Sequence, residues 1–213
     1  IVTYAGEKKV VKIGRMAGQY AKPRSMDTEK IDRKLIPSYR GDMINSAEPR
    51  LDARIPDPKR MLEGYYRATA TLNLVRAFTK GGYASLDQVH SWSEVSLKAF
   101  SKNPRYEELV EGIKKAIRFM DAIGIKNSNP QLNEVSLYTS HEALLLEYEE
   151  ALTRIDTTTG DWYDTSANML WIGDRTRQPD GAHVEFARGI CNPIGVKIGP
   201  EYSIRDIKRV AEL

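Results

Sequence analysis

The sequence predicts an α/β fold in which parallel strands alternate with helices. Four short segments have the composition of strands: VVKIGR (10–15), EVSLYTS (134–140), NMLWIG (168–173) and the run at 193–199 within NPIGVKIGP. Amphipathic stretches separate them, and connections of that length join parallel strands rather than hairpins. The 213 residues, 41% of them hydrophobic, are enough to build one sizeable core.

A long loop is predicted after the first strand signal. From residue 26 to residue 57 the sequence is polar, contains Pro37, Pro49 and Pro56, and follows no sustained period. Loops of this length in compact domains are usually functional or disordered.

Two helices are predicted next. Asp57 is the expected N-cap of the first helix, with Pro58 at its first position and Gly81-Gly82 at its end. The second helix is predicted to start at Asn103-Pro104 and to stop at Gly124. Apolar residues recur at spacings of three and four in both: Met61, Tyr65, Ala68, Leu72 and Val75 in the first, and Tyr106, Leu109, Val110, Ile113, Ile117 and Met120 in the second.

Three further helices are predicted in the second half of the chain. Thr139 and Glu142 fit a capping box that would open the helix HEALLLEYEEALTR (141–154). A short helix is expected near 180–189, and Ser203 is expected to cap a last helix, IRDIKRVAEL.

Bulk composition argues against several classes of partner. The formal net charge of +3 is too small to indicate nucleic acid or a membrane surface. No apolar run approaches the ~20 residues that a membrane-spanning helix needs. Cys191 is the single cysteine, which rules out an internal disulfide and fits a reducing compartment. We therefore expect a cytoplasmic protein with no nucleic-acid or membrane partner.

Charged residues follow the predicted strands at their carboxyl ends. The segment WIGDRTRQPDGAH passes from an apolar strand directly into Asp174, Arg175 and Arg177. The first strand ends in Arg15, and the fourth carries Lys197 near its end. Because ligands of parallel α/β folds bind beyond the carboxyl ends of the strands, these cations predict an anion-binding site there.

Lys197 is the most informative of these residues. Alternation along a strand places Gly195, Lys197 and Gly199 on one face, opposite the three aliphatic residues of the same strand. A buried ammonium is costly without a counter-ion, so the pattern favours an anion beside Lys197. The alternative is a lysine that lies along a surface strand with its ammonium in water.

Arg15 and Arg175 suit a phosphate or a carboxylate, because guanidinium binds both in a bidentate manner. Asp174 would hold one of these arginines in place or orient a substrate. The alternative is a structural Arg–Asp pair at a strand end, with no ligand involved.

The loop RMAGQYAKPRS (15–25) adds Lys22, Arg24 and Ser25. These residues are interpreted as a second phosphate site if they lie near the strand ends. Two alternatives stay open: an arm for nucleic acid, for which one tyrosine and a few cations are a weak signal, and ordinary solvated surface charge.

The histidines show no metal-binding pattern. His90, His141 and His183 lie far apart and lack the spacing of metal ligands. We interpret His141 as a structural residue near a helix start, and Cys191 as a small buried thiol.

Five segments resemble, in order, motifs of the type II (plant-like) 3-deoxy-D-arabino-heptulosonate 7-phosphate (DAHP) synthases: GRMAGQYAKPRS, SYRGDMIN, YTSHEALLLEYEEALTR, WIGDRTRQPDGAH and NPIGVKIGP. The resemblance runs over essentially the whole chain. It implies a (β/α)8 TIM barrel and a transferase that condenses phosphoenolpyruvate with erythrose 4-phosphate. That reaction opens the shikimate pathway to chorismate and the aromatic amino acids. The resemblance also implies a homo-oligomer and a divalent metal, manganese or cobalt, that activates the aldehyde.

The resemblance assigns roles to the charged residues at the strand ends. Arg15, Arg175 and Lys197 match phosphoenolpyruvate contacts, and Asp174 stands where the family often has Glu, one methylene longer. Lys197 and Asp174 are the expected catalytic residues. Lys22 resembles a lysine of the substrate pocket, and Arg24 and Ser25 resemble the cradle of the sugar phosphate.

The resemblance also implies that the metal ligands lie outside this chain. The family's thiolate ligand stands in a GGDCAE-like strand before residue 1, its His, Glu and Asp ligands follow residue 213, and Cys191 matches none of them. Residues 1–213 are therefore expected to form a single partial barrel. It would contain the second to the fifth strands, with extra helices between strands 2 and 3, and would continue beyond both ends.

Two functions from different classes follow. The first is a DAHP synthase, in which this chain by itself is inactive and needs the remaining half of the barrel or a second chain. The second is a non-catalytic module that binds phosphorylated ligands and has lost the metal site. The intact motifs favour the first, and the missing metal ligands favour the second for the isolated chain.

Overall fold

A computed structural model describes residues 2–83, 104–125, 134–200 and 203–212 of the chain. The helices are α1 (Val2–Gly6), α2 (Pro58–Lys80), α3 (Pro104–Ala122), α4 (Leu146–Leu152), α5 (Ala182–Arg188) and α6 (Ile204–Ala211). The strands are β1 (Ile13–Arg15), β2 (Thr28–Ile31), β3 (Lys34–Pro37), β4 (Tyr138–Glu142), β5 (Thr153–Ile155), β6 (Trp162–Asp164), β7 (Met169–Ile172) and β8 (Ile194–Val196). Within the described ranges, no helix combines the length and the apolar character needed to cross a membrane.

The chain divides into two compact units. One comprises Ile1–Lys12 and Leu72–Leu137, and the other comprises Ile13–Thr71 and Tyr138–Leu213. The first unit contains α1, the end of α2 and α3. The glycines predicted to stop its helices do so: the Gly81 N–H donates to the Ala77 carbonyl at 2.8 Å, and Gly82 and Gly124 have φ of +78° and +76°. Asn103, the expected start of α3, lies outside the described residues.

A four-stranded parallel sheet forms the centre of the second unit. Its order is β1-β4-β7-β8, which is also the order along the chain. This confirms the prediction of an α/β fold with a parallel sheet. A sheet in this order is compatible with part of a barrel.

The two faces of this sheet differ in burial. Leu170 and Ile172 are 1% and 4% exposed and face a core that β7 and β8 share with α5. The opposite face carries Ile13 and Tyr138, which pair in register and are 46% and 44% exposed. Parallel sheets are normally covered on both faces, and we call this second face the open face because these two residues are about half exposed.

The predicted capping box at Thr139 and Glu142 is wrong. Both residues belong to β4, where Ser140 pairs with Met169 and Glu142 pairs with Trp171. The helix that follows begins at Leu146 and has no side-chain cap. Backbone pairing on both sides of β4 outweighs a local capping motif, so the strand runs further than the motif predicted.

The predicted long loop at 26–57 contains regular structure. β2 and β3 form an antiparallel hairpin, and Asp52–Arg54 form a 3-10 turn. A second hairpin, β5–β6, occupies residues that follow α4, where the prediction had extended the helix to residue 154.

Other local predictions are confirmed. The Asp57 carboxylate accepts the Lys59 N–H at 3.0 Å at the start of α2, as an N-cap does. Ser203 caps α6 in a full capping box with Asp206, and α5 lies within the expected range.

Candidate anion-binding site at the strand ends

Arg15 is the last residue of β1 and is exposed on the open face of the sheet. Its guanidinium lies over the Trp171 ring, with 5.2 Å between Cζ and the ring centroid. Such a cation–π contact orients the guanidinium without using its hydrogen-bond donors. Arg15 can therefore still bind an anion through its N–H groups.

Lys197 follows β8 directly, and its N–H donates to the Ile172 carbonyl at 3.0 Å. Pairing of Trp171 with Gly195 places Gly195 and Lys197 on the same face as Arg15, which confirms the predicted alternation. The expectation of a buried ammonium is wrong, because Lys197 is exposed. Gly195 leaves no free space beside Lys197, because a Cβ at Gly195 would lie 2.9 Å from Met169 Cε.

Asp174 forms an ion pair with Arg177, three residues later in the same loop. Arg177 in turn donates to the Lys197 carbonyl at 3.2 Å. The sequence offered Arg15 or Arg175 as the partner of Asp174, and the structure supplies a third arginine instead. This arrangement ties the loop after β7 to the end of β8.

Arg175 contacts the loop after β1 rather than Asp174. Its Nε donates to Ser25 Oγ at 2.9 Å, across 150 residues of sequence. This contact joins Arg175, one of the predicted strand-end cations, to Ser25, part of the predicted second phosphate site. A ligand at Arg175 would therefore lie next to a ligand at Ser25.

Tyr39 organises the other cations of the loop after β1, and sequence reasoning did not identify it. Arg24 Nε donates to the Tyr39 carbonyl at 2.7 Å, and Lys22 Nζ lies 5.3 Å from the centroid of its ring. The Tyr39 hydroxyl donates to Asp42 at 2.6 Å. Burial, this hydrogen bond and the charge of Asp42 raise the pKa of Tyr39 to about 12, so the phenol stays neutral beside the cations.

Arg54 holds the segment around Tyr39 in place through buried contacts. It is 2% exposed, and its guanidinium contacts Glu29 at 2.5 Å and the carbonyls of Pro37, Ala47 and Glu48. These contacts use the guanidinium as a structural group, so Arg54 is not available to a ligand. A buried arginine in a polar segment has no periodicity that would reveal it in the sequence.

A buried polar network lies beside the strand ends and was also missed. Glu149 is fully buried and accepts hydrogen bonds from Ser166 Oγ at 2.6 Å and Gln19 Nε2 at 2.5 Å, and His141 Nε2 lies 2.6 Å away. Burial raises the pKa of Glu149, but its interactions with His141, Asp164 and Ser166 outweigh the effect of burial and lower the pKa. Burial and the adjacent Glu149 raise the pKa of Asp164 to about 8, so Asp164 holds the proton at neutral pH.

One signal in the sequence could have revealed this network. Glu149 occupies a position four residues after Leu145 and three before Leu152, on the apolar stripe of its helix. A carboxylate at such a position needs buried partners. The interpretation of His141 as a structural residue did not pair it with Glu149.

The described residues contain no group of three His, Cys, Asp or Glu that could hold a metal ion. His141 contacts Glu149, and His183 Nε2 lies 2.9 Å from the Leu144 carbonyl oxygen. Cys191 is exposed, so its interpretation as a buried thiol is wrong. His90 lies outside the described residues.

The predicted anion-binding residues do not line the groove that the structure describes on this unit. That groove has a volume of about 680 Å³ and is lined by Tyr20, Asp42, Met43, Arg60, Glu63, Gly64, Arg67, Ala70 and Thr71. We give more weight to the strand ends, because the charges of the groove are balanced: Arg67 pairs with Glu63.

Comparison with known proteins shows the family of the chain. The model of the class-II DAHP synthetase family matches residues 1–213. The chain is 50% identical over 212 residues to a phospho-2-dehydro-3-deoxyheptonate aldolase of Streptomyces coelicolor, covering 100% of this chain and 47% of that protein. It is 46% identical over 221 residues to the protein of that name from Neurospora crassa, covering 97% of this chain and 45% of that protein. The chain thus spans about half the length of the curated relatives it matches, and it belongs to the class-II DAHP synthetase family.

Proposed function

We propose that this chain is part of a DAHP synthase, which condenses phosphoenolpyruvate with erythrose 4-phosphate in the first step of the shikimate pathway. The observation that carries the proposal is the contact between Arg175 and Ser25. It joins a loop suited to one phosphorylated substrate to a loop suited to the other. Both substrates are anions, so bringing them together requires cations that offset their repulsion.

The residues take the roles that their positions suggest. Arg15, Arg175 and Lys197 would bind the carboxylate and phosphate of phosphoenolpyruvate, because they stand at the carboxyl ends of three strands of one sheet. Lys22, Arg24 and Ser25 would bind the phosphate of the aldose. Lys197, as the charge nearest the end of β8, would stabilise negative charge that develops during condensation.

We propose that Asp174 is a catalytic residue and that its ion pair with Arg177 holds it in position. The pair places a carboxylate beside Lys197, because Arg177 also holds the Lys197 carbonyl. The side chain is one methylene shorter than the glutamate typical of the family, and the pair with Arg177 would fix its position.

We propose that the fold is part of a (β/α)8 barrel, in which β1, β4, β7 and β8 are the second to the fifth strands. The open sheet face, with Arg15 and Lys197 on it, would then face the interior of the barrel. Residues 1–213 would form a single partial domain that continues beyond both ends. The remaining strands would cover the open face.

A divalent metal, manganese or cobalt, would supply Lewis-acid activation of the aldehyde. The residues described here do not fit such a site, so we assign its ligands to segments outside this chain. The full-length protein would act in the cytoplasm as a homo-oligomer, without nucleic-acid or membrane partners.

A second candidate function is a module that binds phosphorylated ligands without catalysis. The lack of a three-ligand metal cluster in the described ranges favours it for this chain alone. The two functions differ in one respect: the full-length protein consumes phosphoenolpyruvate only if the first is correct.

The test is a phosphoenolpyruvate-consumption assay with erythrose 4-phosphate and manganese. We expect turnover by the full-length protein and none by the purified 213-residue chain, since the described residues offer no three-ligand metal group and the parallel sheet has four of the eight strands that close a barrel. Adding a segment with the remaining strands should restore turnover. Metal-dependent activity of the 213-residue chain alone would refute the partial-barrel proposal, and an inactive full-length protein that binds phosphoenolpyruvate would favour the binding module.

A further inference from the structure

Gln19 fastens the loop after β1 to the segment that follows β4. Its Oε1 accepts the N–H groups of Leu144 and Leu145 at 3.2 and 2.8 Å. Its Nε2 donates to the Leu145 carbonyl at 2.9 Å and to Glu149 Oε1 at 2.5 Å. Both lone pairs and both hydrogens of the side-chain amide are therefore in use.

Glu149, the side-chain partner of Gln19, is fixed in place. Glu149 is fully buried: His141 Nε2 lies 2.6 Å from Oε1, the oxygen that Gln19 contacts, and Ser166 Oγ donates to Oε2 at 2.6 Å. Gly18, the residue before Gln19, also lies against this network, because a Cβ at Gly18 would overlap the His141 ring. The backbone at 18–19 is thus fitted to a fixed surface.

The loop that Gln19 holds carries the cations of the candidate site. Lys22 follows Gln19 by three residues, and Arg24 and Ser25 follow after Pro23. Arg24 and Ser25 are exposed and contact Tyr39 and Arg175 through their side chains. The Lys22 N–H also donates to the Arg40 carbonyl at 2.8 Å, so Gln19 is one of two anchors of this loop. A displacement at Gln19 would shift the start of the loop that carries these three groups.

We propose that Gln19 is a positioning residue for the sugar-phosphate half of the site, acting through Glu149. The inference rests on the proposed function, which assigns the aldose phosphate to Lys22, Arg24 and Ser25. Gln19 does not touch the substrate in this scheme. It fixes where these three groups stand, and Arg15 is independent of it because the β1–β4 ladder holds that residue.

The substitution Gln19→Glu tests this by keeping the size of the side chain and placing a second carboxylate against Glu149. We expect the KM for erythrose 4-phosphate to rise about tenfold or more in the full-length protein, because the loop is displaced. The KM for phosphoenolpyruvate should rise by a smaller factor, because the sheet holds Arg15 and Lys197 and only Arg175 contacts the displaced loop. A loss of folded protein alone would lower the active fraction without changing either KM.

Three further variants make the test specific. Glu149→Gln in the Gln19→Glu background restores a donor opposite the new carboxylate, so part of the KM increase should be recovered. Gln19→Met removes the hydrogen bonds without adding a charge, and it keeps the test open if Gln19→Glu does not fold. Val184→Ala is the matched control, since Val184 is 3% exposed on α5 and its truncation lowers stability without touching the loop.

Calorimetric binding of inorganic phosphate to the same full-length variants separates this inference from the proposed reaction. Weaker phosphate binding in Gln19→Glu or Gln19→Met, with unchanged binding in Val184→Ala, supports positioning even if the wild type shows no condensation. Equal phosphate affinity in the wild type and both Gln19 variants would overturn it. So would an equal loss of affinity in Val184→Ala, or a wild type that binds no phosphate.

Discussion

Two groups of charged residues in the second unit differ in what surrounds them. Arg15, Arg175 and Lys197 are exposed on the loops and strand ends. Glu149 and Arg54 are buried, and hydrogen bonds hold them on several sides. The comparison teaches that charge type alone does not indicate function: the exposed cations remain accessible to a ligand, whereas the buried charges are committed to holding the loops. Substitution of an exposed cation should therefore lower activity, and substitution of a buried charge should lower stability.

The largest effect is expected for Arg54→Ala, on stability. The substitution leaves Glu29 without its partner at 2.5 Å and leaves the carbonyls of Pro37, Ala47 and Glu48 without a donor. Breaking such a buried pair costs about 3–5 kcal/mol, and we expect the lower end because Glu29 is partly exposed. Denaturant unfolding of the full-length protein measures this. Arg50→Ala, which removes exposed ion pairs with Glu48 and Asp52, is the control and should cost less than about 1 kcal/mol; equal costs would contradict the comparison.

Lys197→Ala should lower activity rather than stability. Loss of one charge that stabilises an anion in the site costs on the order of 10²–10³ in rate. Because Lys197 is exposed, the melting temperature of the full-length protein should stay close to that of the wild type. Steady-state kinetics at saturating metal measures the effect, with Lys34→Ala on the β2–β3 hairpin as the control. A near-normal kcat/KM would remove Lys197 from the site.

Arg15→Lys and Arg175→Lys should weaken phosphoenolpyruvate binding by a smaller factor. An ammonium keeps the charge but loses the planar fork, and Arg175→Lys also loses the Nε donor to Ser25. We expect an affinity loss of about tenfold in each, corresponding to one or two lost hydrogen bonds. Calorimetry on the full-length protein measures it. Unchanged affinity would mean that both arginines serve only their contacts with Trp171 and Ser25.

A further effect, on the pH dependence of stability rather than on its value at one pH, is expected for Asp164→Asn. The pKa of Asp164 is raised to about 8, so the folded state holds a proton that the unfolded state releases near its ordinary pKa. This contribution to stability is complete at acidic pH, falls as pH rises, and is lost once pH passes about 8. Asparagine resembles the protonated acid, so the variant should lose less stability than the wild type between about pH 4 and about pH 8. Parallel pH profiles of the melting temperature would contradict the assignment of the proton to Asp164.

Local sequence determined much of this protein. The four parallel strands, the glycine stops of the helices, the caps at Asp57 and Ser203, and the face that Lys197 shares with Gly195 all follow from short-range patterns. Their physical causes act within a few residues, through backbone conformation, capping and alternation. The motifs were also sufficient to indicate the family.

Only the tertiary structure decided the partners. Nothing local links Arg175 to Ser25, 150 residues apart, or Gln19 to Glu149, 130 residues apart. The β2–β3 hairpin also escaped prediction, because Asp32 and Arg33 adopt positive φ at its turn without the Asn-Gly signal typical of such turns. The residues of the motif at Thr139 and Glu142 form a strand for a different reason. Hydrogen bonds to the distant strand β7 outweigh the short-range preference for a helix cap.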